Sequence, residues 1–176
     1  MTGSPTPKLT PIEYDRFVAD VQAIAAAITA DDWTPDFIVG IGRGGLVPGA
    51  YLSHRTGIPM LSVDYSSKVV GFSDELLVKL ARMSVAGQRI LFVDDINDSG
   101  ATLADLRRSI LDHGAVAENQ RFAVLINNRR SRAAVEYWSR EIDRAVDKDW
   151  FVFPWEAVAS QSALVDEALS VPERLA

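Results

Sequence analysis

The stretch ILFVDDINDSGATL, residues 90–103, decides the fold. Four apolar residues, Ile90 to Val93, read as a buried strand that delivers Asp94 and Asp95 to its end. A short loop follows, and Asp98, Ser99, Gly100, Ala101 and Thr102 lead into a helix. A helix start offers unpaired N–H groups and a positive dipole end, and a glycine lets an anion approach the backbone. Ser99 and Thr102 are placed to donate to the same anion, which makes this stretch a phosphate cup. Two adjacent carboxylates would repel a phosphate, so they need other partners; sugar hydroxyls and a hard cation such as Mg²⁺ suit them. Phosphate, vicinal diol and magnesium in one loop describe a site for a ribose 5-phosphate. The alternative is a plain capped helix, because Thr102-x-x-Asp105 is itself a capping box.

Outward from this loop, strands and helices alternate. Thr10-Pro11-Ile12-Glu13 reads as a capping box, and Phe17, Val21, Ile24 and Ile28 form one apolar helix face ending near Ala30. A strand is expected over residues 36–41, a helix over 46–55 closed by Gly57, and a strand over 58–63. Residues 65–87 lose the pattern apart from a helix-like patch at 76–83, and read as a flap over a site. A strand over 89–93, a helix over 102–113 stopped by Gly114, and a strand over 121–126 complete the series. This order predicts an α/β fold, a parallel sheet with helices on both faces and ligands at the strands' carboxyl ends. DFIVGIGRGGLVPG, residues 36–49, lies at that end too. Its Gly40, Gly42 and Gly45, with Asp64 further on, have the spacing of a dinucleotide fingerprint, yet that reading gives the second loop no role.

Composition narrows the function. A chain of 176 residues suffices for one α/β domain. Its formal net charge of −6 argues against a general nucleic-acid backbone binder. Without cysteine there are no disulfides or thiolate nucleophiles, and His54 and His113 are too few for a histidine-rich metal site; both are read as structural. No apolar run is long enough for a membrane span and the start lacks a signal-peptide core, so a cytoplasmic protein is expected.

The 90–103 string resembles the 5-phosphoribosyl-1-pyrophosphate (PRPP) signature of the type I phosphoribosyltransferases, and GRGGLVPG resembles the pyrophosphate loop of the bacterial xanthine-guanine members. The similarity extends to DWFVFPWE, residues 149–156, whose aromatics match a W-x-x-x-P-W-acid pattern in that family's base-covering hood. It implies a Rossmann-like three-layer fold with a small C-terminal hood: residues 1–9 a flexible tail, 10–128 the PRPP-binding core with 65–87 as flap, and 129–176 the hood and C-terminal segment. Arg43, Gly44 and Gly45 would bind pyrophosphate. Asp94 and Asp95 would lie near ribose hydroxyls and Mg²⁺, and residues 98–102 would hold the 5-phosphate. Asp98 would take or hold the purine N7 proton, Trp150 would stack on the base, the Phe151 backbone would read its edge, and Glu156 would be a ligand, direct or through water, for a second magnesium ion. The implied reaction is Mg²⁺-dependent transfer of phosphoribose from PRPP to a purine, in a homodimer or homotetramer. Lys68, Lys79 and Arg82 are possible pyrophosphate partners in the flap.

Two departures stand out. VLINNRR carries Asn127 or Asn128 where the family has a lysine that donates to a 6-oxo group, so Asn128 is the base-reading candidate and the base is left open. Asp64-Tyr65-Ser66-Ser67 replaces the family's Ser-Tyr pair. A PRPP- or nucleotide-sensing regulator on the same fold, or a transferase for another base, is the alternative. Trp33, Trp138 and the 157–176 tail are assigned to packing or a subunit contact, with SALVDEALSV as a further helix.

Overall fold

Apolar residues alternate sides along three central strands, and that alternation builds two cores. In the computed structural model, which describes residues 7–65 and 74–171, these strands are β2 (Phe37–Ile41), β4 (Ile90–Asn97) and β5 (Gln120–Asn128). With β3 (Met60–Val63) and β6 (Tyr137–Ile142) they form a five-stranded, wholly parallel sheet of order β3-β2-β4-β5-β6. Ile38, Leu91, Val93 and Leu125 point to one face and meet α1 (Tyr14–Ala30) and α2 (Gly42–Thr56) through Phe17, Val21, Ile24 and Leu52. Val39, Phe92, Phe122 and Val124 point to the other, where α3 (Asp74–Val85) and α4 (Ala101–Asp112) supply Leu77, Leu80, Leu103 and Leu106. Phe92 and Phe122 stack at a centroid separation of 5.1 Å, and each ring so buried contributes roughly 1.5–3 kcal/mol. Right-handed crossovers put helices on both faces of such a sheet, which leaves the strands' carboxyl ends open for a ligand.

Beyond the sheet, a second, two-stranded parallel ribbon joins β1 (Leu9–Pro11) to β7 (Trp150–Val152). It is followed by a single 3₁₀ turn at Pro154–Glu156 and by α5 (Gln161–Leu169). Phe153 and Trp155 stack at 4.8 Å and Trp155 packs edge-on against Phe17, so this hood is seated on α1.

Several sequence expectations change. The Thr10–Glu13 capping box does not form. Thr10 lies in β1 and donates its hydroxyl to Asp149 at 2.6 Å, and α1 starts at Tyr14 without a side-chain cap. Lys8 and Leu9 thus belong to the hood, because the backbone groups of 8–12 pair with 150–152. Residues 1–6 lie outside the described residues. The flap contracts as well: from Asp74 the chain is α3, with Leu77, Leu80 and Ala81 buried in the core. Lys79 and Arg82 are exposed on it. Of the flap expectation, residues 66–73 with Lys68 lie outside the described residues. Nor does Thr102 cap α4; the preceding residue is Gly100, at φ 81°, and Asp105 instead accepts from Tyr65 at 2.5 Å and pairs with Arg108. The edge strand β6 had no clear signal in the sequence. Gly57, at φ 76°, closes α2 and SALVDEALSV forms α5, both as expected. Among the described residues no helix is long and apolar enough to cross a membrane.

Candidate active site

Gly42 opens α2 directly at the end of β2, which presses the helix start against β4. A Cβ on Gly45 would stand 1.9 Å from the Val93 carbonyl oxygen, and one on Gly40 would stand 2.8 Å from the Gly45 carbonyl oxygen. These two glycines therefore serve close helix–strand packing, and Gly45 is buried against backbone. Gly44 differs. A Cβ there would meet Asp95 Oδ2 at 2.6 Å and Asp94 Oδ1 at 2.9 Å, so the first turn of α2 lies directly against both carboxylates. Asp94 and Asp95 sit within β4, which continues to Asn97, rather than beyond its end.

Together they line an acidic cavity of about 400 Å³ with Arg43, Thr102, Glu156 and Glu167. Although both aspartates are half-buried by accessible surface, protein packed densely around them strips their hydration. Burial first, and the neighbouring Asp95 charge second, push Asp94 well above the usual carboxylate range. Burial, then Glu156, push Asp95 up to about 7. Burial also raises Glu156, whose carboxylate accepts from the Phe153 N–H at 2.9 Å. Buried like charges of this kind call for a cation. Among the described residues no group of three or more acids or histidines could hold a metal alone. The two aspartates fit the other common arrangement, in which one or two carboxylates share a hard cation with oxygens of the substrate. Arg43 projects from α2 with its side chain 89% exposed, pairing with Glu167 at 3.2 Å.

Across the 98–102 loop lies a second cavity, about 370 Å³, lined by Ser99, Asn128, Arg130, Arg132, Arg144 and Lys148. Of these, Arg144 forms a bidentate ion pair with Asp98, which lies behind the lining. Arg144 donates from Nε and Nη2 to the two oxygens of Asp98 at 2.9 and 3.0 Å, and from Nη1 to the carbonyls of Asp147 and Asp149. The Arg144 side chain is 7% exposed and that of Asp98 21%. Sequence reasoning missed Arg144, 46 residues away in the charged run EIDRAVDKDW, where nothing local marks it.

The other site expectations meet the structure as follows. Ser99 and Thr102 do not share one cup: Ser99 lines the basic cavity and Thr102 the acidic one. Ser99 Oγ accepts from the Ala101 N–H at 3.3 Å. Gly100 is tightly packed, since a Cβ would stand 2.4 Å from Ser131 Oγ. Asn128 is not a free base reader. Buried, its amide donates to the Asp98 carbonyl at 2.9 Å and accepts from the Arg130 and Arg144 N–H groups, because a buried amide must satisfy its own donors and acceptors. Asn127 accepts from Asn97 at 2.8 Å. Trp150 and Phe151 belong to β7 and line neither cavity; Trp155 lines the acidic one instead. The Phe151 ring lies beneath Arg144, 5.2 Å from its guanidinium carbon. Asp64 is exposed and lines neither cavity, which removes the ribose acid that a dinucleotide site would need. Trp33 packs as expected, buried with its indole N–H donating to the Glu118 carbonyl, whereas Trp138 is exposed.

Known structures share this architecture. A purine phosphoribosyltransferase from Pyrococcus horikoshii superposes with a TM-score of 0.62 at 23% identity, covering 86% of this chain and 97% of its own. The xanthine-guanine-hypoxanthine phosphoribosyltransferase of Helicobacter pylori gives 0.63 at 17% identity, covering 84% and 93%. A hypothetical protein from Neisseria gonorrhoeae with bound ppGpp gives 0.66 at 20% identity, covering 95% and 97%. The pattern of the phosphoribosyl transferase domain family matches residues 13–161, most of the chain. An open parallel sheet with paired carboxylates facing the first turn of α2 agrees with that match, and the protein belongs to the phosphoribosyltransferase family of enzymes.

Proposed function

We propose that the enzyme transfers the 5-phosphoribosyl group of PRPP to a purine base with Mg²⁺, giving a nucleoside 5′-monophosphate and pyrophosphate. The observation that carries this reading is the placement of Asp94 and Asp95 across Gly44 from the first turn of α2. Their buried, mutually repelling carboxylates would hold Mg²⁺ and the ribose hydroxyls. When bound, Mg²⁺ would neutralise the charge that develops on the leaving pyrophosphate. Arg43 and the Gly44 N–H would meet that pyrophosphate, and the N–H groups of Gly100 and Thr102 would meet the 5-phosphate. In the reaction a ring nitrogen forms its bond to C1 of the ribose as the bond from C1 to pyrophosphate oxygen breaks.

Asp98 would hold the proton of the acceptor ring. Its pairing with Arg144 leaves further lone pairs on both oxygens, so it can accept a ring N–H without releasing the arginine. The hood bearing Trp150, Phe151 and Trp155 would exclude water. We also read the protein as a cytoplasmic homo-oligomer. A regulator that binds nucleotide without turnover is the second reading, favoured by the ppGpp-bound relative and by the cationic cavity. Pyrophosphate release from PRPP, Mg²⁺ and separately offered bases tests the choice. Release that is lost in Asp98→Asn supports the transferase; PRPP binding without release with any base supports the regulator.

A further inference from the structure

The two cavities flanking the 98–102 loop carry opposite charge. One is lined by Asp94, Asp95, Glu156 and Glu167 and, among the described residues, by the single cation Arg43. The other is lined by Arg130, Arg132, Arg144 and Lys148 and, among the described residues, by no carboxylate. The chain as a whole is anionic, at −6, so this cluster is not a by-product of composition. Among the described residues Asp98 takes Arg144, and Asp143 is shared between Arg130 and the neighbouring Arg129, so these two carboxylates meet three arginines, while Arg132 is exposed.

Asn128, the amide of the cavity wall, already has one N–H on the Asp98 carbonyl and its oxygen on two backbone N–H groups. What the cavity chiefly offers an incoming ring is therefore positive charge. The exposed Arg132 presents a planar fork of donors, the geometry that matches a carboxylate or a delocalised anion. A volume of about 370 Å³ accommodates a one- or two-ring heterocycle. The Asp98 carboxylate, which would otherwise oppose an anion, is held within the Arg144 ion pair.

We infer that the acceptor is an anion: a heterocycle carrying negative charge near neutral pH, on a carboxylate or within an ionised ring, seated against Arg132, Lys148 and Arg130. This rests on the transferase reading for the word acceptor; the preference of the cavity for an anion can be measured without turnover. The test compares orotate, whose charge is a carboxylate, and xanthine, whose ring ionises near neutral pH, with neutral hypoxanthine, guanine and adenine. Pyrophosphate release is followed at low and at high salt, and binding of each ring without PRPP is followed by calorimetry.

The expected result is a kcat/KM at least ~10-fold higher for a charged ring than for any neutral one, shrinking severalfold as salt screens the partly exposed cations. Arg132→Gln combined with Lys148→Gln should lower the charged-to-neutral ratio about tenfold. Arg55→Gln, which removes a cation from the last turn of α2, should leave the ratio alone. Orotate favoured over xanthine assigns the charge to a carboxylate, and the reverse assigns it to the ring. Neutral rings turned over as well as charged ones, or an unchanged ratio in the double variant, overturn the inference while the transferase stands. Absence of release with every ring, while charged rings still bind best, overturns the transferase and keeps the anion site. Absence of release together with no preference in binding overturns both.

Discussion

Gly45→Ala places a methyl group where the structure leaves none. Its carbon would stand 1.9 Å from the Val93 carbonyl oxygen, 2.9 Å from that carbonyl carbon and 3.2 Å from Asp94 Cα. Ordinary carbon–oxygen contact needs well over an ångström more, and all three atoms are backbone of a central strand paired on both sides by β2 and β5. No rotamer change can relieve the overlap. Either α2 lifts from β4 or the strand bends, and overpacking of this kind costs about 1–3 kcal/mol, more where the surroundings are rigid. With backbone on both sides, about 3 kcal/mol or more is expected. Urea unfolding followed by tryptophan fluorescence reads this directly, with the slope against denaturant watched for a change of unfolded state. Gly57→Ala is the internal comparison. A Cβ there meets nothing within 4 Å, but φ is 76°, so only the left-handed conformation is penalised, by about 1–2 kcal/mol. A Gly45→Ala loss smaller than that of Gly57→Ala would refute the claim that the glycine run is set by helix–strand packing. The displaced helix would also carry Gly44 away from the two aspartates, so turnover should fall together with stability.

Three further perturbations probe other parts of the molecule. Asp95, held near 7 in the fold against 3.8 ordinarily, favours its protonated form there. Stability should therefore be fullest below about pH 4 as far as this group is concerned, and decline as pH rises through 7, by at most ~4 kcal/mol. A thermal midpoint that falls between pH 5 and 8, flattens in Asp95→Asn and recovers with Mg²⁺ mainly at the upper end is the expected pattern; an unchanged slope in the variant counts against it. Arg144→Met strands the Asp98 carboxylate and should cost about 2–4 kcal/mol, with a coupling of about 1–3 kcal/mol to Asp98→Asn in a double-mutant cycle; additive losses would mean that the pair contributes no stability. Leu80→Ala should cost about 2–5 kcal/mol, because the residue is fully buried in the core beneath α3, and a loss under about 1 kcal/mol would return this helix to a mobile flap.

The parallel sheet was legible because its central strands are apolar on both faces and its helices end at glycines. Ile90–Val93 and Gly57 are such signals, and each depends only on near neighbours in sequence. The edge strand β6 was not legible. Tyr137–Ile142 includes Arg140 and Glu141, and Arg140 is there to meet the buried Asp20 of α1 at 3.0 Å, a contact that no local pattern announces. The same limit separates the two halves of the site. Asp94 and Asp95 stand out as adjacent acids after a strand, and the fold sets them beside Gly44. The Asp98–Arg144 pair, the use of the Asn128 amide as a brace and the split of Ser99 from Thr102 all arise from packing across the loop. A glycine needed for backbone contact and one that lies against a cavity also read alike, so the packing of Gly45 on Val93 could not be told from the exposure of Gly44 to the two aspartates.

The ribbon of β1 and β7 has a consequence for how the protein is made. Residues 9–11 are synthesised long before their partners, residues 150–152, so the ribbon has no template until those residues exist. Closing so long a loop is slow relative to forming the local strand–helix units. Lys8 and Thr10 then latch the joint by donating to Asp149 at 2.5 and 2.6 Å, which holds that carboxylate below its usual range. The sheet and its paired aspartates can thus form first, and completion of the hood is the later step, governed by residues 8–12. Loss of the Lys8 and Thr10 bonds to Asp149 would slow maturation from a point outside both cavities.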